Sequence, residues 1–272
     1  MSECNSNCST CGQDCASRTA PQSFLKEHHP EAVIRRVYGV VSGKGGVGKS
    51  MVTSQLAVLL SRRGYRVGIL DADVTGPSIP KAFGVHDKAV GTENAILPCL
   101  SDGGIEIMSI NVLLDDETEP VIWRGPVIGS VVQQFWTDVI WDVDFLLVDM
   151  PPGTGDVSLN VFQSIPLNGI IVVTSPQELV GMVVEKAVKM AEKMNVPIVG
   201  LVENMSYLAC PDCGKKIYLF GEGKTAAAAE KHGLPLLAQM PIDPQLATLV
   251  DEGRIEDLKG NWLSGVADAL EK

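Results

Sequence analysis

Apolar and polar positions divide the chain into two unequal parts. Residues 1–32 are polar, with no repeating apolar pattern, and hold four of the seven cysteines. After them, short runs rich in Val, Ile and Leu recur at 36–42 (RVYGVVS), 65–73 (YRVGILDAD), 104–110 (GIEIMSI), 144–150 (DFLLVDM), 169–175 (GIIVVTS) and 196–204 (VPIVGLVEN). Helix-length segments separate them, among them SMVTSQLAVLLSRRG, stopped by Gly64, and ELVGMVVEKAVKMAEKM. Near-continuous β-branched runs alternating with helices predict an α/β fold: a mostly parallel sheet covered by helices on both faces. Right-handed crossovers then gather the functional loops at the carboxyl ends of the strands. The expected division is a cysteine-rich extension and linker, 1–32, followed by one domain, 33–272.

Composition narrows the function classes. At 45% hydrophobic residues, the 272-residue chain can bury a sizeable core. Its net charge of −11 offers no clustered Lys and Arg face for nucleic acid. The amino terminus lacks the apolar core of a secretory signal, and no apolar run approaches the roughly 18 residues that span a bilayer. A cytoplasmic protein with reduced thiols is expected, without membrane or nucleic-acid partners.

GKGGVGKS, Gly43–Ser50, fits G-x-x-x-x-G-K-[ST] between a strand and a helix, the context the phosphate-binding loop requires. The backbone from Gly43 through Gly45, Gly46, Val47 and Gly48 to Met51 is expected to curl around phosphates. Lys49 would reach the β- and γ-phosphates of ATP, and Ser50 would bind Mg²⁺. Asp149 ends a buried strand beside this loop, a place from which a carboxylate holds magnesium, and Gly153 offers a backbone N–H to the γ-phosphate. Asp71 and Asp73 end another strand.

Lys44 is not required by the basic motif. With it, K-G-G-x-G-K-S resembles the deviant phosphate loop of the MinD, ParA and nitrogenase iron-protein class. That resemblance implies a homodimeric ATP hydrolase in which Lys44 acts on the partner's nucleotide. It also implies that Asp73 orients the attacking water, that Asp71 supports the magnesium shell, and that Asn204, Pro241 and Asp243 lie near adenine. Asn204 could meet the adenine edge as donor and acceptor together. Met51 replaces the Thr common in the class.

The remaining cysteines pose a different problem. Cys210 and Cys213, in YLACPDCGKK, are two ligands where zinc or an iron–sulfur cluster wants four. Two buried or free loop thiols are the alternative, but C-x-x-C followed by Gly is a turn shape suited to metals. Cys4, Cys8, Cys11 and Cys15 form C-x3-C-x2-C-x3-C, four thiols in one short segment, suited to a [4Fe–4S] cluster, to zinc, or to no stable metal. Cys99 reads as a buried small residue, and His28 and His29 as linker residues.

DADVTGPSIPKAFG, WRGPV, LLVDMPPGTGD, VENMSYLACPDCG and MPIDP, in that order, resemble the Mrp (ApbC-type, Nbp-like) iron–sulfur cluster carrier ATPases over about residues 36–250. Thr75 and Val127 depart from that pattern, which more often has an aromatic residue and Met. The resemblance implies that Cys210 and Cys213 of two subunits share one [4Fe–4S] cluster at a two-fold interface. Apo iron–sulfur proteins would be the acceptors, and cluster-assembly scaffold proteins further partners. The rivals are a MinD- or ParA-like positioning ATPase and a zinc-binding regulatory ATPase. Against the first, the segment Glu256–Lys272 has four acids and two lysines, unsuited to an anionic membrane; its Leu258, Trp262, Val266 and Leu270 suit a helix packed on the domain.

Overall fold

The computed structural model describes residues 24–272 except 75, 77, 115–124, 154, 177–179 and 222. Cys4, Cys8, Cys11, Cys15 and Thr75 therefore lie outside the described residues.

The sheet is built around β1 (Val33–Ser42), whose last six residues are all buried. It pairs in parallel with β7 (Asp142–Asp149) on one side and β8 (Gly169–Thr174) on the other. Beyond β7 lie β2 (Val67–Asp71) and β6 (Glu106–Met108), and beyond β8 lies β9 (Ile198–Ala209), all parallel. Residues of β2 and β8 are buried throughout, which is why they carry no polar alternation: helices cover both sides. The expected α/β fold, a mostly parallel sheet with helices, is the one observed.

The edges are where short elements add to the sequence reading. β11 (Leu236–Pro241) joins β9 in parallel, β10 (Lys216–Ile217) pairs antiparallel with the last residues of β9, and β5 (Cys99–Leu100) pairs antiparallel with β6. A separate hairpin joins β3 (Val90–Gly91) to β4 (Ile96–Leu97). Pairs of two residues carry no period that a sequence pattern can register. β9 also outruns its apolar stretch, ending at Ala209, because β11 and then β10 continue to supply partners. β1 begins at Val33, not Arg36, since Val33 already pairs with Asp142.

Helix α1 (Lys49–Arg62) buries Val52, Leu56, Ala57 and Leu60, and its chain turns away at Gly64, φ 90°. Along the chain follow α2 (Ile79–Ala82), α3 (Gly125–Thr137), α4 (Asp156–Ser164), α5 (Val180–Met194), α6 (Thr225–Lys231), α7 (Pro244–Asp251) and α8 (Ser264–Leu270). The C-terminal apolar positions are one helix only from Ser264 onward. Leu258 belongs to the chain after a 3₁₀ turn, yet Leu258, Val266 and Leu270 are buried as expected and Trp262 packs on the core. Part of the expected linker is tied down: Lys26 N–H donates to the Ser164 carbonyl, and Trp136 Nε1 donates to the Lys26 carbonyl, both at 2.9 Å. Cys99 is buried, as its lone position beside Pro98 suggested.

Candidate functional site

The carboxyl ends of β1, β2 and β7 meet at the point where the sheet is entered from both sides, the usual ligand crevice of an open parallel sheet. Register places Asp149 beside Val40 of β1 and beside Asp71 of β2. The loop after β1 closes over them. Gly46 and Gly48 both stand at φ 77°, a left-handed backbone that glycine adopts without a Cβ penalty. Gly48 caps α1 with no side chain bonded to the helix end, so the first N–H groups remain directed toward the loop.

Asp149 is fully buried and organises the polar centre. Lys49 Nζ lies 2.8 Å from its Oδ1, Thr53 Oγ1 donates to the same oxygen at 2.8 Å, and Ser50 Oγ donates to Oδ2 at 2.5 Å. Asp71 is likewise buried; the Ser109 hydroxyl donates to its Oδ2 at 3.0 Å and the Asp73 N–H to its Oδ1 at 3.1 Å. Burial pushes the Asp71 carboxyl well above the ordinary carboxylate range, and the charge of Asp149 adds to the push. Lys49 and the two hydrogen bonds act in the opposite direction.

A cleft of about 370 Å³ opens on this centre, lined by Gly45 through Met51 together with Ser42, Asp73, Ser78, Pro152 and Val250. Gly153 turns at φ 81°, with its N–H donating to the Ser42 carbonyl at 3.0 Å. The Lys44 carbonyl accepts from the Ser42 hydroxyl at 3.0 Å. Hard oxygen donors on Ser50, Asp71 and Asp149, a lysine, and a glycine cradle at a helix start form a donor set that fits a magnesium–nucleotide.

Asn204 reaches the loop from behind. Its Nδ2 donates to the Val47 carbonyl at 2.9 Å, and its Oδ1 accepts the Met205 N–H at 2.9 Å. A Cβ on Gly48 would stand 2.3 Å from that Nδ2. Pro241 ends β11, and Asp243 caps α7 by accepting the Gln245 N–H at 2.9 Å. Neither lines the cleft, although α7 brings Val250 to it. Thr53 and Ser109 were not anticipated. Thr53 lies one turn beyond Lys49 on the same helix, a spacing that could have found it; Ser109, behind an apolar run, had no comparable signal.

Cys210 and Cys213 occupy the tip between β9 and β10. Cys210 N–H donates to the Lys215 carbonyl, and Gly214 N–H, at φ 71°, returns to the Cys210 carbonyl, both at 2.9 Å. Backbone N–H groups of Asp212 and Cys213, then the Cys213 thiol, bond the Cys210 sulfur and hold its pKa below the ordinary thiol value. Two soft donors share one tight turn, with Cys213 exposed and Cys210 half-buried. Among the described residues no group of three or more His, Cys, Asp or Glu forms a closed metal site.

Fold and loop together define a P-loop NTPase with a second lysine in its phosphate loop. The family model of the NUBPL iron-transfer P-loop NTPases matches residues 33–267, and the chain belongs to that family. An iron–sulfur cluster carrier protein of Clostridium perfringens is 45% identical over 233 residues, covering 82% of each chain. Another carrier, from Methanocaldococcus jannaschii, is 41% identical over 263 residues, 93% of this chain and 90% of its own. Among solved structures, a nucleotide-binding protein of Archaeoglobus fulgidus in complex with ADP superposes with a TM-score of 0.76 at 44% identity, covering 84% of this chain and 90% of its own.

Proposed function

We propose that this chain is an ATP-binding and ATP-hydrolysing carrier of [4Fe–4S] clusters. It would hold one cluster between Cys210 and Cys213 of two copies and pass it to apo iron–sulfur proteins, with cluster-assembly scaffold proteins as further partners. The observation that carries this reading is the pre-shaped half-site: two thiols, half-buried and exposed, on one tight turn closed by the Cys210–Lys215 and Gly214–Cys210 backbone hydrogen bonds. A two-fold axis turns two such ligands into the four that a cluster takes. The family and the carrier names of the relatives support the cargo.

At the other site, the glycine cradle would bind the ATP phosphates and Lys49 would move from Asp149 to the β- and γ-phosphates. Water oriented by Asp73 would attack the γ-phosphorus as the bond to the β-phosphate oxygen breaks; the water's proton passes to the new phosphate, and ADP and inorganic phosphate leave. Lys44 of the partner subunit would stabilise the charge spread over the transferred group, joined by the Gly153 N–H once it leaves the Ser42 carbonyl that it bonds here. Ser50, with Asp71 and Asp149 behind it, would hold Mg²⁺, which would supply neutralisation of the phosphate charge. Asn204, Pro241 and Asp243 would line the adenine side. Cys4, Cys8, Cys11 and Cys15, in the extension 1–32, would hold a second cluster, and the protein would work in the cytoplasm.

The positioning-ATPase alternative is disfavoured by the C-terminal segment, whose apolar residues pack on α1, β9 and β11 and are not presented to a membrane. Among the described residues no helix is long and apolar enough to cross one. Anaerobic reconstitution with iron and sulfide tests the cargo. The wild-type dimer should bind both, and the Cys210→Ala/Cys213→Ala protein should lose the shared cluster and its transfer. Unchanged dimer-bound iron and sulfide in that variant would refute the bridging site, and zinc in place of iron would favour a regulatory ATPase.

A further inference from the structure

Glu203 is a fully buried carboxylate that the nucleotide chemistry does not use. It sits on β9 one residue before Asn204, and its side chain collects three neutral donors. Ser206 Oγ donates to its Oε2 at 2.7 Å, Gln239 Nε2 donates to the same oxygen at 2.8 Å, and the Thr225 hydroxyl donates to Oε1. Gly223 closes on it so tightly that a Cβ there would lie 1.9 Å from Oε1.

These partners have a common place in the chain. Ser206 lies on the limb leading out to Cys210, Thr225 and Gly223 on the limb returning from Cys213, and Gln239 on the neighbouring strand β11. One carboxylate therefore ties together both feet of the excursion that carries the thiols. The thiol turn itself is closed by local bonds, among them the Cys210–Lys215 and Gly214–Cys210 hydrogen bonds and the two-residue pairing of β9 with β10. A buried carboxylate at the base is unlike a solvated surface acid, because the buried Ser206 and Thr225 hydroxyls it holds would otherwise lose this acceptor away from water. We propose that Glu203 is a positioning residue for the Cys210–Cys213 pair. The inference rests on the cluster-carrier reading for its functional consequence, though not for its structural one.

The test uses the full chain carrying Glu203→Ala, with Glu203→Gln as the conservative variant that keeps one acceptor oxygen. Amides of residues 208–217 should exchange with solvent at least about tenfold faster in Glu203→Ala, while those of β1 and β7 stay unchanged. After anaerobic reconstitution with iron and sulfide, iron should pass to a chelator roughly 10- to 100-fold faster, the range seen when groups supporting metal ligands are removed. ADP affinity should stay at the wild-type value, and Glu203→Gln should recover part of both losses. Should Glu203→Ala fail to fold, Thr225→Val removes one donor and should show the same localised change. Unchanged exchange at 208–217, or faster exchange spread equally over β1 and β7, overturns the proposal. Wild-type protein that takes up no iron at the cysteine pair would instead end the cluster reading, and the exchange result would still decide the role of Glu203.

Discussion

At the phosphate loop, Lys49, Thr53 and Asp149 are buried and bonded to one another across α1 and β7. At the cysteine hairpin, Cys213 is exposed, Cys210 half-buried, and the bonds that shape the turn come from within six residues. The first centre draws on residues scattered from position 49 to 149 and is shielded from water, where charge–dipole interactions are strong. The second offers open thiols at a tip, suited to a cargo that must arrive and leave. On the proposed reading, catalytic geometry would be held by the core and cargo presented at an edge. Strand β9 spans both, bonded to the phosphate loop through Asn204 and ending beside Cys210.

The largest test of this contrast is Lys44→Ala. If the lysine acts on the partner's nucleotide, turnover should fall about 10³-fold, comparable with a charge supplied in trans elsewhere, with the melting temperature unchanged. Wild-type turnover would make the phosphate site self-contained in one chain. Next in size is Thr53→Val, which removes a donor to a buried carboxylate. A loss of roughly 1.5–3 kcal/mol in unfolding free energy is expected by denaturant titration. The corresponding loss of a polar bond at the exposed hairpin should be far smaller.

Gly48→Ala should cost about 1–2 kcal/mol from its left-handed backbone alone. The added methyl also meets Asn204, so ADP affinity should fall with it, which calorimetric titration would measure. The smallest effect has the opposite sign. A carboxyl whose folded pKa is raised binds a proton on folding, so Asp71 costs nothing below its unfolded value near 3.8 and progressively more as pH rises toward the folded value. Asp71→Asn should therefore raise the melting temperature at pH 7 and leave it nearly unchanged below pH 3.8, while hydrolysis falls. A destabilised neutral-pH variant would mean that the Ser109 and Asp73 bonds outweigh burial.

The phosphate loop was legible because its chemistry is contiguous: eight residues supply the cradle, the lysine and the hydroxyl, and the flanking apolar runs announce strand and helix. Asp71 and Asp149 were legible because each ends a strand whose carboxyl edge must face that loop. Elements at the sheet edges were not. β10 and β5 are two residues long, and β11 carries a Gln amid its apolar positions. Their existence depends on a neighbour's unpaired edge, which no local period records. Asn204 was singled out, but its bond to the Val47 carbonyl was invisible, since the two residues lie 157 apart.

The sequence by itself determined the α/β alternation, the phosphate loop with its second lysine, and the presence of an incomplete pair of thiols. Each is a local property, set by side-chain period, by glycine conformation or by ligand spacing within a turn. Tertiary structure decided which polar groups share a buried space: Thr53 with Asp149, Ser109 with Asp71, Asn204 with the phosphate loop, and Glu203 with both limbs of the cysteine excursion. Such groupings follow from strand order and register, because a buried donor or acceptor must find its partner wherever the packed chain brings one.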